Sequence, residues 1–430
     1  TEKPRQIAAR VLQRHAGRTD YLENVLEQEL AGKSLPPSDR GLAQELAFGV
    51  VRWQATLDWL ITRKTAGRPQ KTPLQILLRL GLYQMFWLDR IPDHAAVHET
   101  VEMAKHLGYG PQAGFINAVL RGYLRERDQT EQALADLKLT QPALGYSHPD
   151  WLCARWQLRW GEEKVRRLLQ WNNTPPRTFA RVNALRATAD QLRSQWEKEG
   201  VAARLFSCDW AGESLIYELE SHPSLAALPS FRSGFFYVQD PSTLLAVREL
   251  NPQPGETILD LCAAPGGKTT LIAQLMQNRG RIVAQDDSPD RLKWVEENSV
   301  RLGVSCVETS GPSTFGPRPS TLFDRILVDA PCSNTGVMSR RVDLRWRIRP
   351  EEIDRLRAAQ LALLRRAVEQ LRPGGTLVYS TCSLEPEENG EVVTSFLAER
   401  AEFKLEHERE LQPFTDGVDG AYVARLTSRP

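Results

Sequence analysis

The stretch Asp324 to Val337, DRILVDAPCSNTGV, carries an apolar run into Asp329 and then into Ala330-Pro331-Cys332. Further on, TLVYSTCS carries a second apolar run into Cys382. Short apolar runs bounded by turn residues read as buried strands, so both thiols stand just past strand ends. A thiol is nucleophilic as its thiolate, which a helix N-terminus or a nearby cation favours. A carboxylate three residues before one of the thiols adds acid–base capacity. The chemistry this set could do is covalent nucleophilic catalysis. One such thiol would read as a small buried side chain, the usual fate of cysteine. Two of them, with Asp329 and the turn described next, favour a reactive site.

LDLCAAPGGKTT, Leu259 to Thr270, reads as a strand, a small-residue turn and a helix start. Gly266 and Gly267 permit close backbone approach, and the helix N-terminus offers free N–H groups to a nucleotide-like ligand. The turn is neither a P-loop nor Gly-x-Gly-x-x-Gly, because position 262 is Cys262 and not glycine. The next strand closes on Asp286, 20 residues beyond Gly266. That is the place of an acid that accepts both ribose hydroxyls; Asp287 is expected to be a solvated turn acid.

Three kinds of segment must position these groups. Residues 1 to 130 show apolar residues at three- and four-residue spacing, as in PRQIAARVLQRHA, LAQELAFGVVRWQATLDWLITRKTA and LQILLRLGLYQMFWL, and read as helix throughout. Ser38 and Asp93 are expected as N-caps. This stretch holds 18 Lys and Arg against 14 Asp and Glu, a net of +4. From about residue 140, a Trp-rich helix precedes RTFARVN, TADQLRSQWEKEG, VAARLF and SLIYELE, a small α+β unit; its tryptophans read as core. From 236 onward, TILDLC, RIVAQD, SCVETS, RILVDA and TLVYST alternate with helical runs, and GAYVARLT adds a late antiparallel strand. Strand–helix alternation predicts a parallel, doubly wound sheet with its ligands at the carboxyl ends of the strands. The expected fold is therefore multidomain: an all-α N-terminal domain over 1–135, a small α+β segment over 140–235, and an α/β doubly wound, Rossmann-like sheet over 236–430.

The chain has 430 residues, 41% of them hydrophobic and 25% charged, with a formal net charge of +1. Any basic surface must then be local. Its six cysteines form no Cys-x-x-Cys pair and show no metal spacing with the seven histidines, so neither zinc nor a disulfide framework is expected. No apolar stretch approaches membrane-spanning length. A reduced, cytoplasmic, monomeric protein with no membrane partner is expected.

Taken together, DLCAAPGGKT, VDAPCS, RWR and YSTCSLEPEENGEVV resemble the RNA 5-methylcytosine methyltransferases that use S-adenosyl-L-methionine. RLGLYQMFWLDRIPDHAAVHETVEMAK with FINAVLR resembles the NusB-like RNA-binding domain. The pairing of the two is similar to the bacterial 16S ribosomal RNA cytosine-C5 methyltransferases of the Sun or Fmu type, and it covers nearly the whole chain. The resemblance implies Cys382 as nucleophile, Cys332 in proton removal or product release, and Asp329 meeting both base and cofactor. It implies that Lys268 orients the substrate or the Asp329 carboxylate. It places the cofactor on Cys262, Ala263, Ala264, Pro265, Gly266, Gly267, Lys268, Asp286, Arg291 and Asp329. The implied partner is 16S ribosomal RNA, met before subunit assembly is complete. The residues alone do not choose between the two thiols.

Chemistry supports the resemblance. Carbon 5 of cytosine takes a methyl group only after a thiolate has added to carbon 6, which needs a nucleophile, an acid–base group and a positioned methyl donor. Two departures stand out: Pro312 occupies the place of the family's adenine-contacting acid, and Val342 precedes Asp343 where the family has proline. Residues 338 to 372 hold ten arginines against five acids. Arg340, Arg341, Arg345 and Arg347, with Arg349, are expected at the cleft mouth on RNA phosphates. A DNA cytosine methyltransferase would take its nucleophile from the Pro-Cys strand end; the second cysteine and the helical N-terminal domain argue against DNA. A transfer RNA substrate and a catalytically silent RNA-binding assembly factor are the remaining alternatives. The set Asp329, Cys332, Cys382 and Lys268 argues against the silent factor.

Overall fold

The structure is a computed structural model that describes residues 3–17, 20–213, 215–311 and 322–429; Pro312 lies outside them. The chain divides into two compact units. One gathers the residues through Pro175 with Met338–Arg347, and the other gathers Pro176–Val337 with Ile348 onward.

The first unit is helical among its described residues. Thr72–Trp87 is apolar almost all round, burying Ile76, Leu77, Leu80, Leu82 and Tyr83, so it forms the centre. The helices Pro4–Ala16, Pro37–Arg52, Gln54–Lys64, Asp93–His106 and Ala113–Arg125 pack around it. The run expected as one helix from residue 42 is two, broken at Trp53, whose ψ of 18° leaves the helical range. Ser38 and Asp93 do not cap: Pro36 and Pro92 hold those positions, and both polar residues lie inside the first turn. Asp93 there suits the helix dipole and pairs with Arg127 at 2.5 Å.

The second unit holds two sheets. β1 (Thr178–Val182), β2 (Ala202–Phe206), β3 (Ile216–Ser221) and β4 (Phe236–Val238) form an antiparallel sheet in the order β2-β3-β1-β4. The helix Ala189–Glu199, closed by a Thr188/Gln191 capping box, lays Trp196 edge-on against Tyr217 and Phe236 in its core. Trp156 and Trp196 are buried, whereas Trp151, Trp160 and Trp171 are half-buried.

The larger sheet comprises β5 (Thr257–Leu261), β6 (Arg281–Gln285), β7 (Val307–Ser310), β8 (Phe323–Asp329), β9 (Leu371–Thr381), β10 (Phe403–Leu411) and β11 (Ala421–Ser428). Its order is β10-β11-β9-β8-β5-β6-β7. β5 to β9 run parallel, and β11 and β10 are antiparallel. Alternate strand residues feed opposite faces. Ile258, Ile282, Leu327 and Val378 pack in a core with Leu245 and Leu271, and Leu259, Ile326, Val328 and Leu377 pack in another with Leu364 and Phe396. The chain leaves β5 toward β6 and β7, then returns to β8 and β9 on the other side. The switch point, where such sheets bind ligands, is the carboxyl edge shared by β5 and β8.

Candidate active site

The turn after β5 opens at that switch point. Cys262 has φ of 61° and Gly266 φ of 99°. The left-handed region strains a residue with a Cβ and suits glycine, and a Cβ at Gly266 would also meet Val295 Cα at 3.2 Å. Asp286, just past β6, accepts from Ala264 N at 3.2 Å and from Ser288 N at 3.1 Å. Arg291 donates to Asp286 Oδ1 at 3.2 Å and to Ala264 O at 2.8 Å. Asp286 is buried and Asp287 exposed. Burial pushes the Cys262 thiol up to about 12, with Asp329 and Asp286 adding to the effect, so it stays a neutral thiol.

β8 and β9 deliver the reactive groups in register, Asp329 opposite Ser380. Lys268 Nζ donates to Asp329 Oδ2 at 2.7 Å, and Ser380 Oγ donates to Oδ1 at 2.8 Å. Burial pulls Lys268 down, but the charge and hydrogen bond of Asp329 outweigh it, and the ammonium is held above its ordinary range. Cys332 Sγ lies 3.3 Å from Cys382 Sγ. Cys382 Sγ also lies 3.1 Å from Asn334 Oδ1, while Asn334 Nδ2 donates to Cys332 O at 2.7 Å. The hydrogen bond to Cys382, then burial, raises Cys332 well above the usual thiol range. The two thiols thus sit side by side, joined through Asn334, just past the ends of β8 and β9.

Two family descriptions cover the ends of the chain: 16S rRNA methyltransferase RsmB/F matches residues 247–427, and NusB matches residues 2–125. A third, the RsmF/B-like ferredoxin-like domain, matches 148–218. The chain is 37% identical over 440 residues to the ribosomal RNA small subunit methyltransferase B of Erwinia tasmaniensis, covering 99% of this chain and 98% of the relative. This chain belongs to the RsmB/F family of 16S rRNA methyltransferases. The crystal structure of PH0851 shares the fold across 99% of both chains, with a TM-score of 0.78 at 23% identity. NSun6 from Pyrococcus horikoshii, crystallised with SFG, has a TM-score of 0.56 at 26% identity; the match covers 66% of this chain and 98% of that one.

In this RsmB/F-family protein the turn residues Cys262 to Lys268, Asp286, Arg291, Asp329, Cys332 and Cys382 all lie in the second unit, around the carboxyl edge of its parallel strands. The arginines do not. Arg340, Arg341, Arg345 and Arg347 belong to the segment Met338–Arg347 in the first unit. Arg345 corrects the expectation of a phosphate contact: it is fully buried and donates to the carbonyls of Arg52, Ser147, Asn172 and Met338 and to Asn173 Oδ1. Burial lowers it to about 9. Arg347 reaches Asp343 Oδ2 at 3.1 Å and His15 Nε2 at 3.2 Å, and Arg341 and Arg347 both lie over the Tyr21 ring. The run RRVDLRWR is thus in good part an internal clamp of the helical unit.

Four site residues escaped the sequence reading. Asp260, mid-β5, is fully buried; it accepts from Thr269 Oγ1 at 2.6 Å, and its Oδ1 has no partner. Ser380 fixes Asp329. Asn334 takes φ of 58° beside both thiols; the Asn-Thr-Gly turn after Cys332 was the available signal. Glu388 joins the two cysteine loops.

Proposed function

We propose that the protein transfers a methyl group from S-adenosylmethionine to carbon 5 of a cytosine in 16S ribosomal RNA, through a covalent Cys382–cytosine intermediate. The observation that carries this reading is the thiol pair, 3.3 Å apart, beside the Lys268–Asp329 ion pair. Membership of an rRNA methyltransferase family supports the RNA substrate, and the relative crystallised with SFG, an S-adenosylmethionine analogue, supports the methyl donor.

The residues at the β5 turn fit that donor. Cys262 to Gly267 present backbone groups, Asp286 closes β6 where ribose hydroxyls are accepted, and the unpartnered Asp260 Oδ1 offers an acceptor beneath the turn. When bound, S-adenosylmethionine supplies an electrophilic methyl group on a sulfonium. Cys382 adds as thiolate to carbon 6 of cytosine, breaking the 5,6 double bond, and carbon 5 becomes enamine-like and nucleophilic. Asp329, braced by Lys268 and Ser380, faces N3 and stabilises the adduct as a hydrogen-bonding or proton-sharing partner. After carbon 5 has taken the methyl group, its proton is removed with help from Cys332. The C–H electron pair re-forms the double bond, and Cys382 leaves carbon 6 as thiolate. Lys268 lowers the cost of the thiolate at both ends of the cycle.

Bisulfite sequencing of 16S ribosomal RNA from cells with and without the protein tests activity and target together. The expected result is one or more protected cytosines that appear only with the protein. Protection confined to transfer RNA would replace the substrate, and no protected cytosine anywhere would remove the activity.

A further inference from the structure

We propose that Glu388 is the positioning residue for both reactive thiols: one buried carboxylate, gripped by the residue that follows each cysteine, sets the Cys332–Cys382 separation. The proposal rests on the two-thiol reading above.

Cys332 is followed by Ser333 and Cys382 by Ser383, and both serines turn inward. Glu388 Oε1 accepts from Ser333 N at 2.8 Å and from Gln360 Nε2 at 3.0 Å. Its Oε2 accepts from Ser383 Oγ at 2.5 Å and from Ser333 Oγ. All four partners are donors, so the site is built for a carboxylate. Burial raises Glu388, and these four bonds work against that rise. Gln360 donates as well to the carbonyl of Pro331, the residue before Cys332, at 2.9 Å.

Other bonds stitch the same two loops. Leu384 N donates to Thr335 Oγ1 at 2.8 Å, and Gly336 N donates to Cys382 O at 2.9 Å, while the Ser333 and Ser383 oxygens, each giving its proton to Glu388, lie 3.0 Å apart. A Cβ at Gly336 would sit 2.7 Å from that carbonyl oxygen, so this close approach requires glycine. Glu388 is fully buried, so it touches no substrate. It is the group that both cysteine loops share, and it is itself anchored by Tyr379 OH, which donates to its carbonyl at 2.6 Å. Burial of a charge is costly unless it is paired or its lone pairs are hydrogen-bonded. Four donors drawn from two loops and one helix meet that condition only at one loop spacing.

The test uses the thiols as a ruler. Hydrogen peroxide oxidises the Cys332 and Cys382 thiols to one disulfide, with two waters formed, and mass spectrometry of the joined peptides reads the rate on the full-length protein. Glu388→Ala should cross-link about tenfold more slowly than wild type, and its kcat on 16S RNA should fall about 10–100-fold with KM little changed, because geometry and not affinity is lost. Glu388→Gln should recover much of the cross-linking rate, since its amide oxygen still accepts from Ser333 N and Gln360 and its amide nitrogen can donate to the Ser333 and Ser383 hydroxyls, so both loops stay tied. A role in stability alone would lower the unfolding temperature and leave the cross-linking rate of folded protein unchanged. A folded Glu388→Ala that cross-links within about twofold of wild type therefore overturns the proposal. Should that variant not fold, Ser333→Ala/Ser383→Ala, which releases the Cys382 loop from the carboxylate by removing the Ser383 hydroxyl, carries the same expectation and the same overturning result. The ruler reads in the absence of methylation, so failure of Glu388 to position the thiols is separable from failure of the methyltransferase reading.

Discussion

Lys268 and Asp329, from the helix after β5 and the end of β8, form an ion pair of 2.7 Å beside the two thiols. The pair links the turn after β5 to the strand that leads to Cys332. Asp329→Asn should lower kcat by about 100-fold or more, the range for a positioned acid–base group. Donor binding, followed by calorimetry, should weaken far less. An equal loss in both would assign Asp329 to binding alone.

The same pair has a pH signature. Lys268 is raised above its ordinary range, so its contribution to stability is fully present below the unfolded lysine value of about 10.4 and is lost as pH rises through the higher folded value. The difference in unfolding temperature between wild type and Lys268→Met should hold from neutral pH to about 10 and shrink above it. A difference that shrinks already between pH 7 and 9 would contradict the arrangement.

Asp260 works in the opposite window. Burial raises it to about 7. Its favourable neutral form is fully present below the unfolded value of about 3.9, and stability is lost as pH rises through the folded value. Asp260→Asn should therefore match wild type near pH 4 and be the more stable protein at pH 8. The gap should open by about 1.4 kcal/mol for each pH unit between the two values. Calorimetric melts at the two pH values read it; parallel melts would place Asp260 in a wetter site than its burial implies.

Asp286 holds Ala264 N, Ser288 N and Arg291 around the turn after β5. Asp286→Ala should weaken S-adenosylmethionine binding by about 1–3 kcal/mol, the worth of hydrogen bonds to a charged group. Titration calorimetry measures this directly. Unchanged affinity would remove Asp286 from the donor site.

Arg345→Lys keeps the charge but loses the planar fork that serves five acceptors. It should destabilise the helical unit by about 2–4 kcal/mol, because buried carbonyls are left unpaired. The salt dependence of RNA binding should stay as in wild type. A smaller salt slope with unchanged stability would return Arg345 to the RNA surface.

The contrast between these residues shows where sequence reading succeeds. β5, β6, β8 and β9 were legible because each carries a short apolar run followed by a turn, and their alternation with helices pointed to the parallel sheet and its carboxyl edge. β10 was not legible: FKLEHEREL is an edge strand buried only at its two ends, Phe403 and Leu411, with no apolar run to mark it. β4 has three residues, too few for any period. The break at Trp53 has no proline or glycine at it, so nothing local announces it. Arg345 stood in a run of arginines that reads as a solvated face; its acceptors come from residues 52, 147, 172, 173 and 338, which only the fold assembles. Glu388 escaped for the same reason, since Ser333 and Ser383 are fifty residues apart in the chain and 3.0 Å apart in space.

The account rests most on the division of labour between the two thiols, and a denaturing gel of protein incubated with 16S RNA and methyl donor tests it most directly. Cys382→Ala should show neither methylation nor a covalent complex, because carbon 5 is never activated. Cys332→Ala should still attack but release slowly, so a protein–RNA adduct that survives denaturation should accumulate and should vanish in the double variant. An adduct that forms in Cys382→Ala and is missing in Cys332→Ala would make Cys332 the nucleophile and contradict the account.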